Sequence, residues 1–262
     1  MFNYDDRVSQ LSSPAWRLYD DLIAEVPEGL SIKDAFHGKH WNFVANEENV
    51  GLAHTFIQTC REDDIVDAQE CVGKDLREAA KCFKSWNFER ASYGNAALNS
   101  FFNTRKRAEH MNASFPKDKS EDAISMIMEK FQGKRIAIVG HFPKIEQFAE
   151  LCDLYVLELN PRDPIDLFTS AAEFVLPSVD AFIMTGMTLA NKTAPRLLEL
   201  SKNAYTAMIG PSVPVSEVLF DHGVDMIGTS ICTTTSEKLK ETIANPGNSL
   251  FGNALTMITI KK

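Results

Sequence analysis

Lys134-Arg135-Ile136-Ala137-Ile138-Val139-Gly140-His141-Phe142-Pro143 decides the fold of this chain. A short apolar run ends in Gly, a sharp turn and Pro, and the helix-like Lys144 to Cys152 follows. That is the opening βα unit of a parallel sheet. Gly140 permits the tight turn, and the fixed φ of Pro143 suits the first position of a helix, where its missing N–H costs nothing. A ligand at this strand tip is expected to meet free backbone N–H groups and the positive end of a helix.

Downstream the pattern repeats. Asp153 to Leu159 reads as a strand ending in Asn160-Pro161, Phe174-Val175-Leu176 as a short third strand, and Asp180 to Thr185 as a buried one ending at Gly186. The helix Ala194 to Lys202, the strand Ala204 to Ile209 with Gly210-Pro211, the helix Val215 to His222, and strands Val224 to Gly228 and Ala254 to Ile260 complete it. Strands alternating with helices across short turns predict a parallel sheet with right-handed crossovers.

Upstream the grammar differs. Pro14 to Val26 carries Trp16, Leu18, Leu22, Ile23 and Val26 at helical spacing. Leu30 to Phe36, Trp41 to Ala45 and Val50 to Phe56 read as a three-stranded meander joined by hairpin-like turns. Gly73 to Phe83 and Phe88 to Asn103 read as helices packed on it. The polar stretch Asn112 to Ser120, with Pro116, suits an interdomain connection, and Glu121 to Phe131 a helix leading into the sheet. The expected fold class is therefore α/β: an α+β domain over residues 1–112, then a parallel-sheet domain over 113–262.

Composition narrows the function. The 262 residues carry a formal net charge of −9, which argues against nonspecific binding to nucleic acid or anionic membranes. No 18-residue uncharged apolar stretch is present, and Met1 to Asp6 lacks the features of a signal peptide, so a cytoplasmic protein is expected. Five scattered cysteines, with no CxxC pair, indicate reduced thiols rather than a disulfide framework or zinc ribbon. HExxH and GxSxG are also absent.

In a sheet of this kind ligands bind beyond the carboxyl ends of the strands. Those ends supply the candidate ligand-binding residues: Gly140, His141, Phe142, Pro143, Glu158, Asn160, Thr185, Asn191, Lys192, Thr193, Gly210, Pro211 and Pro214. Gly140 stands without the other glycines of a dinucleotide fingerprint, which disfavours tight NAD or FAD binding. Glu158 falls 18 residues after Gly140, where an acid takes ribose hydroxyls, so a nucleoside-containing ligand stays open beside a solvated charge at a strand end. His141 suits either a metal ligand or an acid–base group, or it packs in its turn. Asn191-Lys192-Thr193 opens a helix and suits a phosphate or carboxylate, with Thr193 as a plain N-cap the alternative.

Ser92, Asn95, Asn99 and Asn103 recur at i, i+3, i+7 and i+11, forming one uncharged polar stripe on the second helix of the first domain. Asn is a poor helix former, so the stripe marks either a half-buried cleft face, with Asn95 and Asn99 as ligand contacts, or amides capping a neighbouring loop. A cleft stripe would lie across from His141 and the Gly210-Pro211 turn.

Lys84-Ser85-Trp86-Asn87, Gly140-His141-Phe142-Pro143, Asn191-Lys192-Thr193-Ala194-Pro195-Arg196-Leu197-Leu198-Glu199-Leu200 and Gly210-Pro211-Ser212-Val213-Pro214 together resemble the putative heavy-metal-chelation family, a bacterial and archaeal family of unassigned activity. The resemblance covers nearly the whole chain. It implies an N-terminal domain like that of enolase, a C-terminal Rossmann-like domain, and an active site in the cleft between them. It also implies handling of a chelated heavy metal or its chelator. The expected function is binding or processing of a small polar metabolite, with an enzyme using an adenosyl or nucleotide cofactor at Gly140 and Glu158 as the alternative. Catalytic and metal-ligating residues, and the oligomeric state, are left unassigned.

Overall fold

The computed structural model describes residues 8, 10–56, 68–116, 121–245 and 250–262. Cys60 and the Lys117 to Ser120 part of the expected connection lie outside the described residues.

Helix α1 (Arg17–Glu25) precedes an antiparallel meander of β1 (Asp34–His37), β2 (Trp41–Ala45) and β3 (Val50–His54). Asp75 caps α2 (Leu76–Ala80) through the Glu78 amide, and a 3₁₀ turn over Lys81–Lys84 finishes the segment expected as one helix. The long helix α3 (Phe88–Phe102) starts at Asn87, whose side chain accepts from the amides of Glu89 and Arg90. The short α4 (Arg105–His110), capped by Thr104, follows it and was not expected.

α3 is buried almost all round, which explains its lack of a solvated face. It lies backbone to backbone on β3: a Cβ at Gly51 would stand 1.9 Å from the Ser100 nitrogen. Any other residue there would push the helix off the meander.

The second layer is one seven-stranded sheet in the order β10-β9-β8-β7-β4-β5-β6. After α5 (Ala123–Lys130), the chain runs β4 (Arg135–Val139), α6 (Ile145–Leu151), β5 (Asp153–Glu158), β6 (Asp166–Phe168), α7 (Ala172–Val175), β7 (Ala181–Thr185), α8 (Met187–Ala190) and α9 (Ala194–Leu200). It continues through β8 (Tyr205–Ile209), α10 (Val218–Asp221), β9 (Met226–Cys232) and α11 (Ser236–Ala244) to β10 (Leu255–Lys261). All pairings are parallel except β9 with β10. The expected mixed α/β class, with a small α+β layer ahead of a mainly parallel sheet, is the fold observed.

Three local differences have physical causes. Phe174 to Leu176 is helical, because Ala172 and Leu176 bury the same side at i and i+4, while β6 takes the sheet edge. Helix α6 starts at Ile145 after Lys144 at φ +72°, so Pro143 is not its first residue. α10 starts only at Val218, whose amide donates to Ser216 Oγ, while the Val215 amide ahead of it bonds to Asn103 Oδ1. No helix among the described residues is long and apolar enough to cross a membrane.

Candidate functional site

The strand order fixes where a ligand can enter. From β4 the chain builds outward to β5 and β6, then returns to β4's other side for β7, β8 and β9, so the order reverses between β4 and β7. Adjacent crossovers leave that edge in opposite directions and open a crevice at the carboxyl ends. Gly140 ends β4 there with φ +96°, and a Cβ on it would stand 3.2 Å from Thr185 Cγ2 at the end of β7. The absent side chain leaves the two tips side by side.

β7 passes directly into α8. Thr185 Oγ1 accepts from the Met187 amide at 3.3 Å, and Thr188 Oγ1 donates to the Thr185 carbonyl at 2.6 Å. Asn191 Oδ1 then accepts from both the amide and the hydroxyl of Thr193, at 3.1 and 2.6 Å. Thr193 therefore shapes a turn and does not cap α9 with its side chain. Lys192 is held at φ +68°, with its Nζ 2.6 Å from the Ala190 carbonyl and within 5.5, 5.8 and 5.9 Å of the rings of Tyr19, Phe83 and Phe88. An ammonium over several ring faces is attracted by their quadrupoles, which ties this turn to the N-terminal layer.

His141 and Glu158 form a separate cluster on the β5 side. His141 Nδ1 is 3.2 Å from Glu158 Oε1, and Nε2 is 3.4 Å from Asp166 Oδ1 and 3.7 Å from Asp163 Oδ2. Burial alone would raise the Asp166 pKa, but the amides of Arg162 and Asp163 and the His141 ring outweigh it and hold the group below its ordinary value. Phe142 is half-buried against the apolar cluster under α5, whereas Pro143 and Asn160 are exposed and Pro214 is buried in its loop. The Phe142 ring reaches the Gly140–Thr185 tip, 3.9 Å from where a Gly140 Cβ would stand, and the other three do not join it.

The asparagine stripe is the seam between the layers, and its side chains are buried rather than solvated. Asn95 Nδ2 donates to the Ser212 carbonyl at 2.9 Å. Asn99 Nδ2 donates to Leu52 O at 2.8 Å and to Pro211 O at 3.4 Å. Asn103 Nδ2 donates to the carbonyls of Val213 and Ser230, and its Oδ1 accepts from the Val215 amide. The Pro211–Val215 tip is thus fastened to α3, and the amides of the stripe cap backbone groups of this neighbouring loop instead of facing an open cleft. Asn95 Oδ1 and Asn99 Oδ1 are buried and have no hydrogen-bond partner among the described residues.

His54, at the end of β3, was not among the residues singled out from sequence. Its amide donates to Ser212 Oγ at 2.9 Å and its carbonyl accepts from Ser92 Oγ, so its backbone bridges the β8 tip and α3. Nδ1 lies 2.9 Å from the Thr55 carbonyl. A carbonyl only accepts, so Nδ1 carries the proton and Nε2 keeps its lone pair. Burial lowers the His54 pKa, the Thr55 bond partly opposes this, and His40 adds to the lowering. The Trp41 ring stands 5.0 Å away at 67°, and the His40 ring 6.5 Å away at 57°. The available sequence signal was His54 continuing the Val50, Leu52 face to the strand's end. The other hairpin histidine, His37, places Nε2 2.7 Å from buried Glu89.

Among the described residues, no group of three or more His, Cys, Asp or Glu is arranged to hold a metal ion. A groove of about 830 Å³ lies at the C-terminal end of α3, bounded by Glu25, Ser100, Arg107 and Glu217. A hollow of about 220 Å³ beside Lys192 is lined by Trp16, Tyr19, Trp86 and Pro195.

Comparison with known proteins places this architecture. An uncharacterized protein of Methanocaldococcus jannaschii is 26% identical over 215 residues, covering 76% of this chain and 78% of that one. A crystal structure of a DUF364-family protein of unknown function from Desulfitobacterium hafniense superposes with a TM-score of 0.85 at 32% identity, covering 95% of this chain and 99% of that one. A second, from Pyrococcus horikoshii, has a TM-score of 0.72 at 20% identity with the same coverage, and shares the fold. Family models match on both layers, DUF4213 over residues 19–102 and DUF364 over 122–258, each described as "putative heavy-metal chelation". With more than half its length matched and 32% identity to a solved member over 95% of its length, this chain belongs to the DUF364 family.

Proposed function

We propose that this protein binds a small polar metabolite, a metal chelate or its chelator, between the strand tips of the sheet and the layer built from β3 and α3. The carrying observation is the Gly140–Thr185 tip at the reversal of strand order, beside a β8 loop that α3 and β3 hold by side-chain and backbone hydrogen bonds. The shared description of both family matches supports a metal-related ligand. On this reading the N-terminal layer is an enolase-N-terminal-like domain, the sheet is a Rossmann-like domain, their boundary falls near Asn112, and the protein works in the cytoplasm. The ligand contacts are Gly140, Thr185, Asn191, Lys192, Gly210 and Pro211. An adenosyl ligand ranks second, because Glu158 is already engaged by His141 and a ribose would have to displace it.

The test is calorimetry with nickel, zinc and copper complexes of citrate, iminodiacetate and EDTA, alongside adenosine and the free ions. At least one chelate is expected to bind the wild type, and Thr185→Leu, which fills the space beside Gly140, is expected to weaken it at least tenfold without unfolding the protein. Binding of adenosine alone, or of no chelate at millimolar concentration, would overturn the reading.

A further inference from the structure

We infer that His54 is a metal ligand, donating Nε2 to the ion of a chelate bound at the β8 tip, with His40 as the second imidazole. The inference rests on the chelate-binding reading and assigns it a residue.

Three features of His54 prepare it for coordination. First, its tautomer is set: with the Nδ1 proton held by the Thr55 carbonyl at 2.9 Å, the lone pair sits on Nε2. A ring whose other nitrogen donates to a backbone carbonyl is oriented and made more basic, which is how histidine ligands are held in metal sites. Second, its orientation is fixed from the side by Trp41, edge-on at 5.0 Å. Third, its place is fixed by the backbone, whose amide bonds to Ser212 in the loop that ends β8.

His40 reaches a shared ion by turning its own side chain. With metal–nitrogen bonds of about 2.1 Å, an ion lies about 3.2 Å from each ring centroid, so two rings stand about 5 Å apart at a tetrahedral angle and about 6.4 Å apart when opposed. The observed centroid separation of 6.5 Å lies just beyond the opposed limit, so the rings as they stand are too far apart to share an ion. His40 is exposed in the β1–β2 turn, so rotation of its own side chain closes the remaining gap. Two imidazoles leave further coordination positions to be filled from outside. That matches a borderline ion such as copper, nickel or zinc that arrives with a chelator's oxygen and nitrogen donors already attached.

The probe is copper(II) iminodiacetate, which keeps open positions for imidazole, read by calorimetry and by the nitrogen modulation that a bound imidazole imposes on the copper electron-spin-echo signal. Wild type is expected to show imidazole coordination. His54→Gln is expected to lose it with at least a tenfold fall in affinity, and His40→Gln to reduce it to a single imidazole. Both hydrogen bonds that tie His54 to its neighbours across the seam run through its backbone, so His54→Gln keeps its fold, and an unchanged melting curve checks this. His110→Gln, on α4, serves as the variant that leaves the signal intact. A His54→Gln protein that retains affinity and imidazole signal would overturn the assignment. So would a wild type that binds the chelate with no imidazole signal, and in that case the chelate-binding reading survives. Absence of any binding refutes both.

Discussion

Asn103→Ala tests whether the seam is held by amides. Asn103 is 2% exposed and its side chain makes four hydrogen bonds across the layers: from Nδ2 to Val213 O at 3.0 Å, Ser230 O at 3.2 Å and Thr229 Oγ1 at 3.4 Å, and from the Val215 amide to Oδ1 at 2.9 Å. The four are unequal. Val213 O also accepts from Thr229 Oγ1 at 2.7 Å, so it stays paired when the amide is removed. Buried Val215 N–H loses its acceptor, and an unsatisfied buried donor costs about 1–3 kcal/mol. Adding the void left by the side chain gives a destabilisation of about 2–4 kcal/mol. In a chain of this size that corresponds to a fall in melting temperature on the order of 5–15 °C, measured by scanning calorimetry. Asn99→Ala should cost less, about 1–2 kcal/mol, because Asn99 only donates and its removal orphans no N–H group. A shift below about 2 °C for Asn103→Ala, or a larger loss for Asn99→Ala, would refute the reasoning, since either means the Val215 amide finds another acceptor.

Two further outcomes follow from the same structure. Gly51→Ala is expected to lose more than about 4 kcal/mol or fail to accumulate, because its Cβ would meet the Ser100 nitrogen and Ala96 oxygen of α3, which are backbone and cannot swing away; a variant melting within 3 °C of wild type would show that β3 and α3 are not in this register. Asp75 is held below the usual carboxylate range, first by the Gly29 amide and also by the amides of Glu78 and Arg77 and the charge of Lys81, against the opposing effect of burial. Its depressed folded pKa means its contribution is present above the unfolded value of about 3.9 and is lost as pH falls through the folded one. Asp75→Asn should therefore flatten the decline of melting temperature below pH 4, and identical slopes for both proteins would count against the paired carboxylate.

Residues whose role is set by their own neighbours in sequence were readable in advance. The apolar run of β4 with Gly140 behind it, the strand ends at Thr185 and Ile209, and the meander turns each carry a local signal, and their elements fall where the pattern placed them within a few residues. The asparagine stripe was legible as an anomaly, a polar face unsuited to a helix in water, but its meaning depended on partners 110 to 127 residues away. No periodicity reports whether an amide meets solvent or a carbonyl of another layer. The antiparallel edge was hidden for a related reason. β10 pairs with β9 on one side, and the Ser114 amide and carbonyl pair with Thr259 on the other, so the strand is placed by segments far from it in the chain.

His54 is the strongest case of the same limit, because nothing beside it in sequence distinguishes it from an ordinary histidine ending a strand. Its chemistry follows from a tautomer set by the Thr55 carbonyl, and its place follows from a backbone held at Ser212 and Ser92. The stripe and the histidine are thus one arrangement. The buried hydrogen bonds from Ser92, Asn95 and Asn99 that lock the β8 tip to α3 and β3 also hold the strand end that carries the imidazole. If the seam loosens, the ring loses its position, so Asn103→Ala should weaken copper iminodiacetate binding in proportion to its effect on the Pro211–Val215 loop, although Asn103 itself touches no ligand.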